Sequence, residues 1–198
     1  MKILAIGSHP DDIECGCFGT LKKYKQKGAE LYYLMLTCGG DSGDAEVRRT
    51  EQLESAEVLG AKVIFTNLES AYLNNDSGRK TIEAIEKAIK EVKPDIIFTH
   101  SEHDRHQDHR LVNRATNSAC RFFQGELYYY CGYSSLKDFK PQVYEKIEDD
   151  TEPLKFFKSQ SDKFYMNPKV RDSILVFWAT QAGFLGKAEA FEVGRIIR

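Results

Sequence analysis

Apolar runs at residues 2–7, 31–37, 63–66 and 95–99 are separated by longer stretches with helical periodicity at residues 13–28, 44–59 and 81–92. Runs such as Ile3-Leu4-Ala5-Ile6 lack polar alternation, so each strand must be covered on both faces. Gly28 and Gly60 stop the first two helices, and Pro94 separates the third from its strand. Strands that alternate with helices of this length require right-handed crossovers and a mostly parallel sheet with helices on both sides. The predicted class is therefore α/β, a doubly wound, Rossmann-like sheet. Beyond Arg110 the rhythm loosens into a helix to about residue 122, an aromatic strand at 127–131, a strand at 142–147, and helices near 152–161 and 170–182. No linker or repeat interrupts the chain, so residues 1–198 read as one domain with a smaller, irregular α+β C-terminal part.

Composition narrows the function. A chain of this size buries roughly 70% of its unfolded surface without disulfides. The 28 basic and 30 acidic residues leave a net charge of -2, which gives no general attraction to nucleic acid or anionic membranes. No apolar stretch approaches the ~20 residues that cross a bilayer. The five cysteines form no CxxC pair and no signal peptide opens the chain, so the thiols are expected to be reduced and the protein soluble and cytoplasmic.

In a doubly wound sheet, ligands bind outside the carboxyl ends of the strands where strand order reverses, commonly between the first and fourth strands. Ser8-His9-Pro10-Asp11-Asp12 follows the first strand, and the stretch from His100 to His109 follows the fourth. A nucleotide site would put a glycine-rich turn after the first strand; Gly7, Gly16 and Gly19 lack that spacing, and Asp11 and Asp12 would repel phosphate. The two acids also suit a helix start, by capping and by the dipole. Imidazoles and carboxylates converging on one crevice more naturally hold a divalent metal such as zinc, whose catalytic sites use three protein ligands. His9, Asp12 and His109 can supply that set. His100 and His103 precede the part of the loop that must turn back, and are expected to pack at the strand end.

His9-Pro10-Asp11-Asp12 with Gly16 and Gly19, together with Asp104-x-His106-x-Asp108-His109, resembles the two motifs of the PIG-L/LmbE family of zinc-dependent N-deacetylases, which includes the sugar deacetylases of bacillithiol and mycothiol synthesis. Arg48-x-x-Glu51, Leu59-Gly60, Phe139-x-Pro141, Ser159-Gln160 and Glu189-Ala190-Phe191 resemble further family landmarks. The resemblance is weakest around residues 120–137 and 162–185. It implies that His9, Asp12 and His109 bind Zn2+, with Fe2+ as the alternative ion, and that Asp11 is the general base. It further implies that His106, held by Asp108, stabilises the oxyanion, and that Arg48 binds substrate at the mouth, where its fork suits sugar hydroxyls. Glu69 stands where the family often has an aspartate. Cys15 and Cys17 are expected to be small packing residues, and the tyrosines at 128–130 a core strand.

The implied activity is hydrolysis of an N-acetylated amino sugar or glycoside of the N-acetylglucosaminyl type, a small-molecule substrate. Homo-oligomerisation stays open. A metal-dependent phosphoesterase on the same fold would want more bridging ligands than this chain offers. A non-catalytic metal- or sugar-binding protein would have no need of Asp11.

Overall fold

The computed structural model describes residues 1–66, 68, 78–135, 137–148 and 152–197, and Glu69 lies outside them. β1 (Lys2–Gly7) is buried along its length after Lys2, as its unbroken apolar run requires. It pairs in parallel with β2 (Glu30–Met35) on one side and β4 (Ile96–His100) on the other. β3 (Lys62–Phe65) and β5 (Glu126–Tyr130) extend the parallel part. β6 (Val143–Ile147) and β7 (Lys187–Arg195) are antiparallel additions, giving the order β3-β2-β1-β4-β5-β7-β6. The sheet is thus mostly parallel and doubly wound, as the sequence pattern predicts.

Six α-helices are described: α1 (Asp12–Gly16), α2 (Phe18–Gln26), α3 (Ala45–Glu57), α4 (Arg79–Val92), α5 (Gln107–Ala119) and α6 (Pro168–Gln181). Successive β1 side chains point to opposite faces. Ile3 and Ala5 join Phe18 and Leu21 of α2 and Ala56 of α3, while Leu4 and Ile6 join Ile85 of α4 and Val112 of α5. Strand order reverses between β1 and β4, so the segments that follow Gly7 and His100 border one crevice.

Four departures from the sequence reading have physical causes. The helix expected over residues 13–28 is broken at Cys17 into α1 and α2. There the Glu189 carboxylate, from β7, accepts the Gly19 N–H at 3.0 Å and the Thr20 N–H at 2.8 Å, so a distant side chain caps the first turn of α2. The last residue of α1 must be glycine, because a Cβ on Gly16 would stand 2.3 Å from the Tyr130 ring. β7 itself has no counterpart in the reading, since its alternating alanines and glutamates carry little strand signal and two of its acids, Glu189 and Glu192, are buried. The stretch near 152–161 forms two 3-10 turns, Glu152–Phe156 and Lys158–Gln160, in place of a helix.

The fourth departure concerns α3. Of the apolar residues set near one face by their spacing, Ala56 and the following Leu59 are buried, but Val47 and Leu53 are 47% and 46% exposed. The polar residues Arg48, Glu51, Gln52 and Ser55 are buried instead. A helix that turns polar groups inward needs partners for them: Arg48 finds the turn after β1, Gln52 and Ser55 find Glu14, and Glu51 finds Ser159.

Glu189 also pairs with Arg171 of α6, whose Nη2 donates to it at 2.8 Å, both side chains being buried. Arg171 in turn donates to the Cys15 carbonyl. Replacing Glu189 with alanine removes the carboxylate partner of a buried guanidinium and the acceptor of two N–H groups of α2. Glu189→Ala is expected to cost about 3–5 kcal/mol in urea unfolding, whereas Val47→Ala, on the exposed face of α3, should stay within about 0.5 kcal/mol.

Candidate active site

The chain leaves β1 through Ser8 and turns sharply at Asp11, whose backbone is left-handed at φ 97° and ψ -22°. The turn brings the Asp12 carboxylate back to accept the His9 N–H at 2.7 Å and sets it between three imidazoles. Asp12 Oδ2 lies 3.5 Å from His9 Nδ1 and 3.2 Å from His100 Nε2, and Oδ1 lies 3.2 Å from His109 Nε2. His109 comes from the first turn of α5, and its ring is stacked between those of His100, at 3.9 Å, and His106, at 4.5 Å.

His9 and His109 each spend one ring nitrogen on a carboxylate outside this group. His9 Nε2 is 3.1 Å from Asp108 Oδ2, and His109 Nδ1 is 3.0 Å from Asp104 Oδ2. Such contacts fix the tautomer and leave the other nitrogen, on the Asp12 side, as a lone-pair donor. Potential ligand atoms fall within 4.8 Å of one another in two groups that share His109, one with His9 and His106 and one with Asp12 and His100. Neither group joins all three of His9, Asp12 and His109, although His109 and His9 stand 3.2 and 3.5 Å from the two oxygens of Asp12, and imidazole nitrogen and carboxylate oxygen are donors that a divalent ion accepts. The residues therefore fit a divalent ion.

Electrostatics points the same way. Burial pulls His9 and His109 down, but their carboxylate neighbours outweigh it and lift them to about 9 and about 10. Asp12, despite its burial, is held well below the usual carboxylate range by His109 and His100. Burial and His109 push His100 down to about 4. The carboxylates thus draw positive charge to this point, and without a metal the imidazoles supply it as protons. Asp11 goes the other way: burial and the nearby Asp12 raise it to about 7, against the pull of Arg48.

Several side chains sit differently from the sequence reading. His100, expected only to pack, is 1% exposed and also belongs to the Asp12 group, while His103 lies at the surface with its Nε2 3.6 Å from Glu192. Asp108 holds His9 rather than the His106 ring. His106 caps α5, its Nδ1 accepting the Asp108 N–H at 3.3 Å, and burial together with the neighbouring His109 and His9 lowers its pKa. Arg48 does not present its fork to solvent: it is 3% exposed, and it donates to the Pro10 carbonyl at 2.7 Å and the Gly39 carbonyl at 3.0 Å, with Nη2 3.4 Å from Asp11 Oδ2. Gly39 is required there, because a Cβ would stand 2.1 Å from Arg48 Nη1.

His9, Asp11, Asp12, His106 and His109 all line one cavity of about 250 Å3, near the lower end of the range for small-molecule sites. Its far wall includes Tyr133 and Tyr165, which stack at 4.5 Å, and the Tyr165 hydroxyl is 3.5 Å from Asp11 Oδ2. Cys15 also reaches the cavity, and Cys17 is buried in the core as expected. Tyr128 is a core residue, whereas Tyr130 reaches the cavity. Asp104, though part of the second motif, and Tyr165 carry no assigned role in the sequence reading, and Tyr133, expected to join the aromatic core rather than the pocket, lines the cavity.

A model of the GlcNAc-PI de-N-acetylase family, PIG-L, matches residues 4–120, a span that includes both halves of the donor group. The uncharacterized deacetylase YaiS of Escherichia coli is 36% identical over 158 residues, covering 75% of this chain and 83% of that protein. The diacetylchitobiose deacetylase of Thermococcus kodakarensis is 34% identical over 125 residues, 55% of this chain and 45% of that protein, so the match spans less than half of the longer relative. A conserved protein of Thermus thermophilus superimposes with a TM-score of 0.83 at 25% identity, covering 99% of this chain and 95% of that one. The 4-carboxy-2-hydroxymuconate hydratase GalB of Pseudomonas putida superimposes with a TM-score of 0.80 at 17% identity, covering 100% and 98% of the two chains, a likeness of fold alone. One fold thus carries different chemistries, and function has to be argued from the site.

The raised Asp11 carboxyl gives a stability test. An acid whose folded pKa lies above its unfolded value costs stability as pH rises through that window, from about 4 to about 7. In metal-free protein, Asp11→Asn is expected to be more stable than the parent by about 1–3 kcal/mol at pH 8 and equal to it near pH 4, measured by urea unfolding.

Proposed function

Since the chain belongs to the GlcNAc-PI de-N-acetylase (PIG-L) family, we propose that it hydrolyses the acetamide of an N-acetylated amino sugar or glycoside, with a divalent metal held by His9, Asp12 and His109. The observation that carries this reading is the placement of a further carboxylate, Asp11, beside the His9, Asp12 and His109 side chains in one cavity. The ion, zinc with iron(II) as the alternative, would polarise the acetyl carbonyl and bring the pKa of a water to about 7.

The remaining work falls to side chains. Asp11, adjacent in sequence to Asp12 and tethered by Arg48, accepts the proton of the attacking water and returns it to the amide nitrogen as the C–N bond breaks, releasing acetate and a free amine. His106, with Nδ1 engaged by the Asp108 N–H, carries its proton on Nε2 when neutral and donates it to the carbonyl oxygen as charge builds there. Asp108 and Asp104 keep the His9 and His109 rings turned toward Asp12. Arg48 acts on substrate by holding the Pro10-Asp11 turn, since its fork is occupied by protein acceptors. An acetamido sugar also fits the aromatic wall of Tyr133 and Tyr165. The diacetylchitobiose deacetylase relative supports an N-acetylated sugar as the substrate class.

Acetate release from N-acetylglucosamine, its glycosides and N-acetylated disaccharides tests the reading directly. Asp11→Asn is expected to lower kcat by at least about 10²-fold while metal content stays near one per chain; unchanged turnover would exclude Asp11 as the base. His109→Ala should lose both metal and activity. Asp104→Ala, which removes the carboxylate behind His109 together with the acceptor of the His106 N–H and the Ser134 hydroxyl, is expected to weaken divalent-ion affinity by about 10–100-fold in competition with a chromophoric chelator.

A further inference from the structure

Asp11 is one of two non-glycine residues with positive φ among the described residues. Such strain costs about 1–3 kcal/mol and persists only where the surroundings over-determine it. Here the surroundings are a single face of α3. Arg48, Gln52 and Ser55 stand at i, i+4 and i+7, so they project from the same side of the helix. Arg48 Nη2 grips the Pro10 carbonyl at 2.7 Å, and Gln52 Oε1 accepts the Asp11 N–H at 3.2 Å.

A buried glutamine can present either end of its amide, and the neighbour decides which. Glu14, on α1, accepts the Gln52 Nε2–H at 2.8 Å and the Ser55 hydroxyl at 2.9 Å on the same carboxylate oxygen. That oxygen only accepts, so it holds the NH2 end of the amide and leaves Oε1 for Asp11. Gln52, Glu14 and Ser55 are all 0% exposed, and none of them lines the cavity.

We infer that Gln52 is a positioning residue for this site: its carbonyl oxygen, oriented by Glu14, pins the Asp11 backbone and thereby sets where the Asp11 carboxylate stands beside the donor group. The inference rests on the N-deacetylase reading. Because Gln52 touches neither the cavity nor the donor group, its loss acts on turnover and leaves substrate binding and metal content alone.

Gln52→Glu keeps the shape of the side chain but turns a second acceptor toward Glu14. We expect kcat to fall by about 10²-fold, as for small displacements of a catalytic group, with KM within about twofold and metal content unchanged. Combining Gln52→Glu with Glu14→Gln restores the order of donor and acceptor, the new amide donating to the new carboxylate, and should bring kcat back to within about threefold of the parent. Gln52→Leu, which buries no charge, serves where Gln52→Glu does not fold; it should show the same kcat loss, and adding Glu14→Gln should not repair it. The inference is overturned if either single variant turns over like the parent, or if the exchanged pair is folded and metal-loaded yet as slow as Gln52→Glu. A parent protein silent on the whole panel of N-acetylated sugars would instead overturn the N-deacetylase reading itself.

Discussion

The parallel pairing of β1 with β4, Ile3 opposite Ile96 and Ala5 opposite Phe98, is the contact from which the rest follows. It sets the ends of two strands side by side although more than eighty residues of chain separate them. The segment after Gly7 and the segment after His100 then have no choice but to share a crevice. Burial of β1 on both faces keeps that register from slipping, because a shift by one residue would exchange its two sets of apolar contacts. Every carboxylate and imidazole of the donor group hangs from these two strand ends or from the helices that start beyond them.

That framework was legible in the sequence because it depends on patterns with a simple physical period. Unbroken apolar runs marked the buried strands, and His9-Pro10-Asp11-Asp12 and Asp104 to His109 stood where the runs stopped. The parts that were not legible are those where burial and polarity part company. α3 hides Arg48, Gln52 and Ser55 beside Ala56 and exposes Val47 and Leu53, so a reading that equates apolar with inward places only part of its buried face. β7 escaped for the same reason, with Glu189 and Glu192 inside. Likewise, the pairing of Asp108 with His9 rather than His106 follows from the start of α5, where His106 is spent as the cap. No spacing rule reports that choice.

The crevice concentrates acids to a degree that a core would not ordinarily tolerate. Asp11, Asp104 and Asp108 are buried and Asp12 is half-buried, all within a few residues of one another in sequence or space, and the buried Glu14 is pushed up to about 7 by its burial. Each has an identifiable partner: imidazoles for Asp12, Asp104 and Asp108, a guanidinium for Asp11, and an amide and a hydroxyl for Glu14. The network is balanced only if positive charge occupies its centre, as protons or as a cation.

The capping of α2 by Glu189 ties the order of events in folding to the last strand of the sheet. Gly19 and its acceptor are 170 residues apart, so the helix that follows the turn after β1 stays uncapped until β7 has docked between β5 and β6. On an emerging chain the residues of the donor group are made early, yet the ground beneath them is laid last. The capped helix beneath the crevice is therefore a property of the finished sheet and not of the first 109 residues made.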